Sequence, residues 1–413
     1  MSQGTWSWPA FALVALGCRR EPPPRRASPW AERADAAAPA ADPSRRCALR
    51  SAPPTVVTEL NELSGAAIAW SGTHYGVAWS DRADDERVVR FVRVGADGAR
   101  LGSPLRMNED RTEAADPSVT WNGASWVVVW SGGLHALKDI YQGRVDPRGS
   151  AAGRPWRMTR TRDREDLQPR IASIPSGFGL AWVARVSGRR SRLYALSLDR
   201  FDAPRGFPVA LLDTAVSLGE TELVWTGAQW AASALSAQRE VLRVELGRLD
   251  PRGYSLGSVT RLTPRVIGGV ETRGRYALAW DGARFAVAWS EVTAGSSHVF
   301  FQRASTRGNL EGAPLDLGDA DESADSPSLA RVGEGVVAAA WQVTREGRAR
   351  IRVRTIDAGS RAQEVPVELQ DHNGAVGHPQ LLVAGDTLAL LSVSDRALTL
   401  HRIALGPCPV GAY

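Results

Sequence analysis

Two carboxylates stand in a similar local context far apart in the chain. Asp116 immediately precedes Pro117, and Asp325 stands two residues before Pro327. Two carboxylates facing each other across a pocket can cleave a glycosidic bond, one as general acid and the other as nucleophile or base. Asp116 and Asp325 are therefore the candidate catalytic residues, provided that the fold brings both segments to one pocket.

A second group of acidic residues lies close together in the segment DADESAD. Asp319, Asp321 and Asp325 carry carboxylate oxygens of the kind that bind Ca²⁺. The segment lacks the central glycine and the terminal glutamate of an EF-hand loop, so the three aspartates are metal-ligand candidates without a defined site. Walker and dinucleotide-binding signatures are also missing from the sequence, so we expect no cofactor. The sequence has no nucleophile elbow either, which gives no support to nucleophilic hydrolysis.

The chain has three cysteines, and the first ends an apolar run. Residues 9–17, PAFALVALG, are too few to span a bilayer and lead directly to Cys18, as the hydrophobic region of an export signal does. The segment ALGC resembles a bacterial lipobox, although leucine is usual where Ala15 stands and residues 1–8 carry no basic side chain. The resemblance implies a signal peptide over residues 1–18 and a lipid on Cys18. The alternative is an uncleaved apolar N-terminus with a chance cysteine.

Most of the net charge follows Cys18. Between residues 19 and 50 there are eight arginines and four acidic residues, which accounts for +4 of the formal +5. Residues 19–54 are rich in proline, alanine and arginine and nearly lack large apolar side chains, so we expect a disordered tether. The rest of the chain is almost neutral and has no RNA-binding signature, so we expect no nucleic-acid partner.

A repeat identifies the elements that must position the candidate residues. The segments WSGTHY (70–75), WNGASW (121–126), WTGAQW (225–230) and WDGARF (280–285) share tryptophan, glycine and an aromatic residue at fixed places. Degenerate copies complete a series of seven units whose closing positions are 51 to 55 residues apart. Those closing positions are Trp79, Trp130, Trp182, Ala234, Trp289, Trp341 and Ser392.

Each unit has the pattern of four short strands joined by turns. In the second unit the expected strands are 118–121, 126–130, 139–145 and about 154–159, and Asn122-Gly123 forms the first turn. Four antiparallel strands, repeated seven times, predict an all-β fold, a seven-bladed β-propeller, over residues 55–413. Trp121 and Trp130 recur in most units, so we expect them to pack between blades rather than to bind a ligand.

The two ends of the chain are expected to close the ring. The seventh unit lacks its fourth strand, and the segment Thr55 to Asn61 supplies a surplus strand before the first unit. We therefore expect this segment to pair with the last blade as its outer strand. Cys47 and Cys408 flank that seam and are predicted to form a disulfide, which an exported protein permits. Two unpaired thiols are the alternative.

Over residues 55–405 the chain resembles a group of exported bacterial seven-bladed β-propellers with W-x-G-x-x-aromatic repeats, often lipoproteins and without a defined activity. The resemblance implies a monomer that is lipid-anchored to the bacterial cell envelope, at the outer membrane, or periplasmic, and that touches the membrane through its anchor only. Our leading hypothesis is a binding or scaffolding platform for a protein or glycan partner, not an enzyme. The alternative is a glycan-active hydrolase or lyase using carboxylates at the channel mouth.

Overall fold

The computed structural model describes residues 48–60, 65–83, 86–109, 112–133, 137–186, 190–238, 241–263, 266–267, 276–293, 295–319, 322–363, 366–369, 377–394 and 397–406. Every regular element within these ranges is a β-strand. No helix that could span a membrane occurs among these residues. The predicted signal peptide, most of the predicted tether and all three cysteines lie outside the described ranges.

The strands form seven antiparallel sheets, preceded by β1 (Ala48–Ser51) and β2 (Thr55–Glu59). Blade 1 comprises β3 (Gly65–Trp70), β4 (His74–Ala83), β5 (Glu86–Gly95) and β6 (Arg100–Arg106). Blade 2 comprises β7 (Glu113–Trp121), β8 (Trp126–Gly133), β9 (Asp139–Val145) and β10 (Trp156–Arg157). Blade 3 comprises β11 (Arg164–Ile174), β12 (Gly177–Val186), β13 (Ser191–Asp199) and β14 (Val209–Thr214).

The remaining blades repeat this order. Blade 4 comprises β15 (Ser217–Trp225), β16 (Trp230–Gln238), β17 (Val241–Leu249) and a split outer strand, β18 (Thr260–Arg261) and β19 (Val266–Ile267). Blade 5 comprises β20 (Tyr276–Trp280), β21 (Phe285–Thr293), β22 (Ser296–Ala304) and β23 (Leu310–Asp316). Blade 6 comprises β24 (Ser323–Gly333), β25 (Val336–Arg345), β26 (Arg348–Ile356) and β27 (Val367–Leu369). Blade 7 comprises β28 (Gly377–Ala384), β29 (Thr387–Val393) and β30 (Ala397–Gly406).

This arrangement is a seven-bladed β-propeller, and it confirms the predicted fold. Within each blade the strands are called A to D in chain order, and A is the innermost strand. The D strand of blade 2 is shorter than predicted, because Pro155 has no backbone N–H with which to pair. The A strand of the same blade begins earlier than predicted, at Glu113 instead of Ser118.

The N-terminal strands complete blade 7, as predicted. β2 pairs antiparallel with β30, with Thr55 opposite Leu400. β1 was not expected, and it extends the same pairing, with Ala48 opposite Gly406. The two strands are separated at Pro53-Pro54, since proline cannot donate a ladder hydrogen bond. Cys47 and Cys408 lie just beyond this pairing and outside the described residues, so their disulfide stays a prediction.

The hydrophobic core consists of seven clusters, one between each pair of neighbouring blades. Trp130 lies in the cluster that blades 1 and 2 share and is 1% exposed, while Trp121 packs at the edge of the same cluster. Both positions agree with the predicted packing between blades. The closing tryptophans of the other units are equally buried, and they are Trp79, Trp182, Trp289 and Trp341.

The repeated W-x-G-x-x-aromatic segment closes the hairpin between strands A and B. Trp121 is the register partner of Trp126, and their ring centroids are 4.9 Å apart. Gly123 adopts a φ of 92°, and the Asn122 side chain accepts hydrogen bonds from the amides of Ala124 and Ser125 at 3.0 and 2.7 Å. The corresponding aromatic pairs of blades 1, 4 and 5 lie 4.5 to 5.0 Å apart. A cross-strand aromatic pair thus explains why the motif recurs.

Candidate functional site

A cavity of about 880 Å³ lies on the axis of the propeller, and the A strands of all seven blades line it. Strands A and C of a blade run in the same direction, so the first residues of both lie at the same end of the cavity. Arg87, at the start of strand C in blade 1, and Lys138, directly before strand C in blade 2, therefore join the A strands in its lining. This volume suits a ligand of a few sugar or amino-acid residues.

A β-bulge near the start of the A strands turns one side chain into the cavity. The bulge residues of blades 2, 3, 4 and 6 have left-handed φ angles of 48° to 54°, although none of them is glycine. Such a conformation costs about 1–3 kcal/mol per residue and is typical of functional sites. The four residues all line the cavity, and they are Asp116, Gln168, Glu220 and Ser326.

The residue two positions after the bulge also faces the cavity, because side chains alternate along a strand. In blade 3 this residue is Arg170, and in blade 4 it is Glu222. The other five blades place small or uncharged residues in the same ring: Ala67, Ser118, Ala277, Ser328 and Gln380. Arg170 and Glu222 are therefore the only two charges in this ring of seven.

Hydrogen bonds between neighbouring blades hold the lining in place. The Ile171 amide donates to Ser118 Oγ at 3.2 Å, and the Leu381 amide donates to Ser328 Oγ at 2.9 Å. Between blades 3 and 4, the Glu220 amide donates to Gln168 Oε1 at 2.7 Å. These bonds join blades 2 and 3, blades 3 and 4, and blades 6 and 7, so this part of the cavity wall is fixed before a ligand arrives.

The charged side chains that line the cavity all come from blades 1 to 4. The cations come from blades 1 to 3, and the anions come from blades 2 and 4; the six residues are Arg87, Lys138, Arg170, Asp116, Glu220 and Glu222. Among the described residues, blades 5 to 7 contribute only uncharged side chains, such as Leu278 and Leu329. The cavity therefore has a charged arc beside a neutral, partly apolar arc.

Glu222 is a half-buried carboxylate of the cavity whose pKa is shifted. Burial raises its pKa above the ordinary value, and the nearby positive charge of Arg170 opposes that rise. No described residue donates a hydrogen bond to it. On the neighbouring blade 5, burial and the nearby negative charge of Glu222 raise the pKa of Tyr276 well above its usual range, and the Tyr276 hydroxyl lies 2.8 Å from Oγ of Ser233, the register partner of Glu222. A ligand hydroxyl or ammonium could supply the donor that Glu222 lacks.

The structure brings only one of the two predicted catalytic candidates to the cavity. Asp116 lines it and accepts a hydrogen bond from Ser131 Oγ at 3.1 Å. Asp325 does not line it, because the bulge position of blade 6 is the next residue, Ser326, and a shift of one residue reverses the direction of the side chain.

The predicted metal-ligand candidates are separated as well. Asp319 is held by Arg352, with Oδ2 and Nη1 2.6 Å apart, and Asp321 lies outside the described residues. Arg352 also pairs with Glu322 at 2.8 Å and Glu368 at 2.9 Å. The described ranges contain no group of three or more side chains that could hold a metal ion.

Comparison with known proteins adds no assigned relative. No protein-family model matches the chain, and no curated protein matches it. Among solved structures, it is similar to a neuraminidase-like protein of subtype N10 from A/little yellow-shouldered bat/Guatemala, with a TM-score of 0.48 and 9% identity, over 75% of this chain and 98% of that one.

Two further similarities have lower TM-scores. The Pyrococcus horikoshii acylaminoacyl peptidase has a TM-score of 0.44 and 11% identity, over 80% of this chain and 49% of the peptidase. A thermostable family-43 glycoside hydrolase has a TM-score of 0.35 and 12% identity, over 56% of this chain and 86% of the hydrolase. At these values no activity is transferred to this chain, and its function has to be argued from its own cavity.

Proposed function

We propose that this chain is a binding protein of the bacterial cell envelope, anchored by a lipid on Cys18, whose propeller is a rigid platform for a glycan or protein partner. The observation that supports a ligand most strongly is the pair of opposite charges, Arg170 and Glu222, in a ring of otherwise small or uncharged side chains that line the cavity. Glu222 is half-buried and burial raises its pKa, so a charge at this position is costly to the fold and its retention favours a role in binding.

The lining favours a glycan as the ligand of this cavity. Sugars carry many hydroxyl groups that both donate and accept hydrogen bonds, and the charged arc offers arginine and lysine donors beside carboxylate acceptors. The neutral arc of blades 5 to 7 presents Ala277, Ser328 and Gln380 to the ligand, which are small or uncharged. Ligand sites commonly combine such uncharged walls with a few precisely placed polar groups.

The proposal is tested by measuring the binding of the full-length protein to an oligosaccharide array. We expect wild type to retain a defined set of glycans, and Glu222→Ala and Lys138→Ala each to weaken that binding about tenfold or more, because each removes a charged hydrogen-bonding partner. Arg361→Ala is the matched control, since Arg361 is 78% exposed on a turn of blade 6. Binding that is absent in wild type, or equal in all four proteins, would refute the proposal.

The raised pKa of Glu222 supports one alternative, a glycan-active hydrolase. A carboxyl group with a raised pKa can act as a general acid, and Asp116 offers a second carboxylate in the same cavity. In that case the protein would release sugar from a chromogenic glycoside. Glu222→Gln would abolish the release and Asp325→Asn would leave it unchanged, whereas a binding protein shows no release in any variant.

A further inference from the structure

The C-to-D connections of three consecutive blades share one extended form, which recurs in blade 6. In blades 2, 3 and 4 an isolated bridge closes each connection: Val145 with Ala151, Leu198 with Pro204, and Leu249 with Ser255. These equivalent bridges place the three connections on the same face of neighbouring blades. We call them together the aromatic rim, and they comprise residues 146–157, 199–208 and 250–261.

The aromatic rim carries most of the large apolar side chains that the described surface exposes. Phe207 is 90% exposed and Phe201 is 71% exposed, both in blade 3. Tyr254 of blade 4 is 69% exposed, and Trp156 of blade 2 is 41% exposed. Phe201, Phe207 and Tyr254 lie on the connections themselves, and Trp156 lies in the adjoining strand β10. Single exposed apolar residues are ordinary, but four aromatic residues on three adjacent connections and their flanking strand are typical of an interaction surface.

The same rim is positively charged toward solvent. Six exposed arginines of the rim form no ion pair with any described residue, and they are Arg148, Arg154, Arg200, Arg205, Arg252 and Arg261. The four aspartates of the rim are bonded within the fold. Asp146, Asp199 and Asp250 each accept hydrogen bonds from two amides of their own turns, and Asp202 is buried.

Bonds between blades hold the rim in position. Asp202 accepts a hydrogen bond from Gln142 of the preceding blade at 2.7 Å and forms an ion pair with Arg144 at 2.6 Å. Ser197 of blade 3 donates to the Pro251 carbonyl of blade 4 at 2.9 Å. The exposed aromatic side chains therefore stand on a fixed frame, and ordering them on contact with a partner requires little further loss of backbone freedom.

We propose that the aromatic rim docks the propeller onto an anionic phospholipid surface. Aromatic side chains bind at the boundary between headgroups and acyl chains, and surrounding arginines bind the lipid phosphates. Turn tips spread over three blades suit a broad surface, and the seven arginines of the rim outnumber its four aspartates, so its net charge is attracted to anionic headgroups. This docking depends neither on the lipid at Cys18 nor on the ligand of the cavity.

Vesicle sedimentation of the full-length Cys18→Ser protein tests the proposal, because no attached lipid can then contribute. We expect binding to vesicles of equal parts phosphatidylglycerol and phosphatidylcholine, and little binding to phosphatidylcholine alone. Phe201→Ser with Phe207→Ser should weaken binding about tenfold, and Arg148→Gln and Arg252→Gln should weaken it about fivefold each. All four changes are at exposed positions, so an unchanged melting temperature should show that the fold is intact.

Two exposed residues outside the rim provide the controls. Val56→Ser changes an apolar residue that is 54% exposed, and Arg361→Gln changes an arginine on the corresponding connection of blade 6. Both should bind vesicles as Cys18→Ser does. Equal binding to both vesicle types, undiminished binding by the rim variants, or rim-dependent binding to duplex DNA instead of vesicles would overturn the proposal.

Discussion

Replacing Arg303 with methionine should loosen the interface between blades 5 and 6. Arg303 is 1% exposed and forms an ion pair with Asp281, which is fully buried. Its second guanidinium nitrogen donates to the carbonyls of Gly335 and Asp357 in blade 6, both at 2.9 Å. Methionine preserves much of the side-chain volume and removes every one of these bonds.

The expected loss follows from the burial of both charges. Removing one member of a buried ion pair leaves the other charge uncompensated and costs about 3–5 kcal/mol. For a domain of roughly 350 residues the unfolding entropy is about 0.7 kcal/mol per kelvin, so the melting temperature should fall by about 4–7 °C. Arg284→Met is the matched control, because Arg284 also approaches Asp281, at 3.8 Å, but is 30% exposed. Its loss should be below about 1 kcal/mol.

A double-mutant cycle measured by urea unfolding separates the pair from the packing. In the wild type the amides of Ala283 and Arg284 donate to Asp281 Oδ1 at 2.8 and 2.7 Å. Asp281→Asn retains a side-chain oxygen that can accept both bonds. Combined with Arg303→Met it should lose less than the two single losses added together, with a coupling of about 2 kcal/mol or more. Additive losses, or an Arg303→Met loss no larger than that of Arg284→Met, would refute the reasoning.

Three further predictions concern the seam, the anchor and the cavity. Cys47→Ser should lower the melting temperature under oxidising conditions only, since the disulfide would close a loop of about 360 residues and stabilise by up to about 5 kcal/mol; equal melting in oxidant and reductant would contradict the pairing. Radiolabelled palmitate should label wild type and not Cys18→Ala, and label on both would contradict the anchor. The Glu222→Gln variant should become more stable relative to wild type as the pH rises. The folded state holds this proton more tightly than the unfolded state, so wild-type stability falls through the range between the ordinary and the raised carboxyl pKa; a parallel pH profile in the variant would contradict the burial of this charge.

The features that repeat could be predicted from the sequence. Five of the seven blades bury a tryptophan at the same position, so Trp130 and its counterparts recur at a nearly constant spacing that reveals both the number of blades and their packing. The closing strand was predicted because it is the one strand left over in the count. β1 was missed because Pro53-Pro54 separates it from β2, and this interruption marks the expected end of a strand.

The site could be predicted only in part, because a binding residue is needed in one blade and not in seven. The residue directly before the proline of strand A is the bulge residue, and this relation correctly selected Asp116 before Pro117. In blade 6 the prediction took Asp325, two residues before Pro327, whereas the bulge residue is Ser326.

Glu222 and Arg170 do have a signal in the sequence. Each lies two positions after the bulge residue of its strand, and Glu222 lies three positions before Trp225, the first residue of its W-x-G-x-x-aromatic motif. That signal becomes visible once the bulge is known, since the bulge changes the alternation of inward and outward side chains.

The central claim is that the ligand occupies the axial cavity, and Lys138 tests it directly in the unmodified protein. Lys138 is the single lysine of the chain, and it lines the cavity without an ion pair to any described residue. An amine-reactive ester should therefore modify one lysine, and mass spectrometry of the peptide that contains Lys138 measures the rate of this modification. A glycan retained by the array should slow this modification in proportion to its occupancy. An unchanged rate at a saturating glycan concentration would contradict the claim.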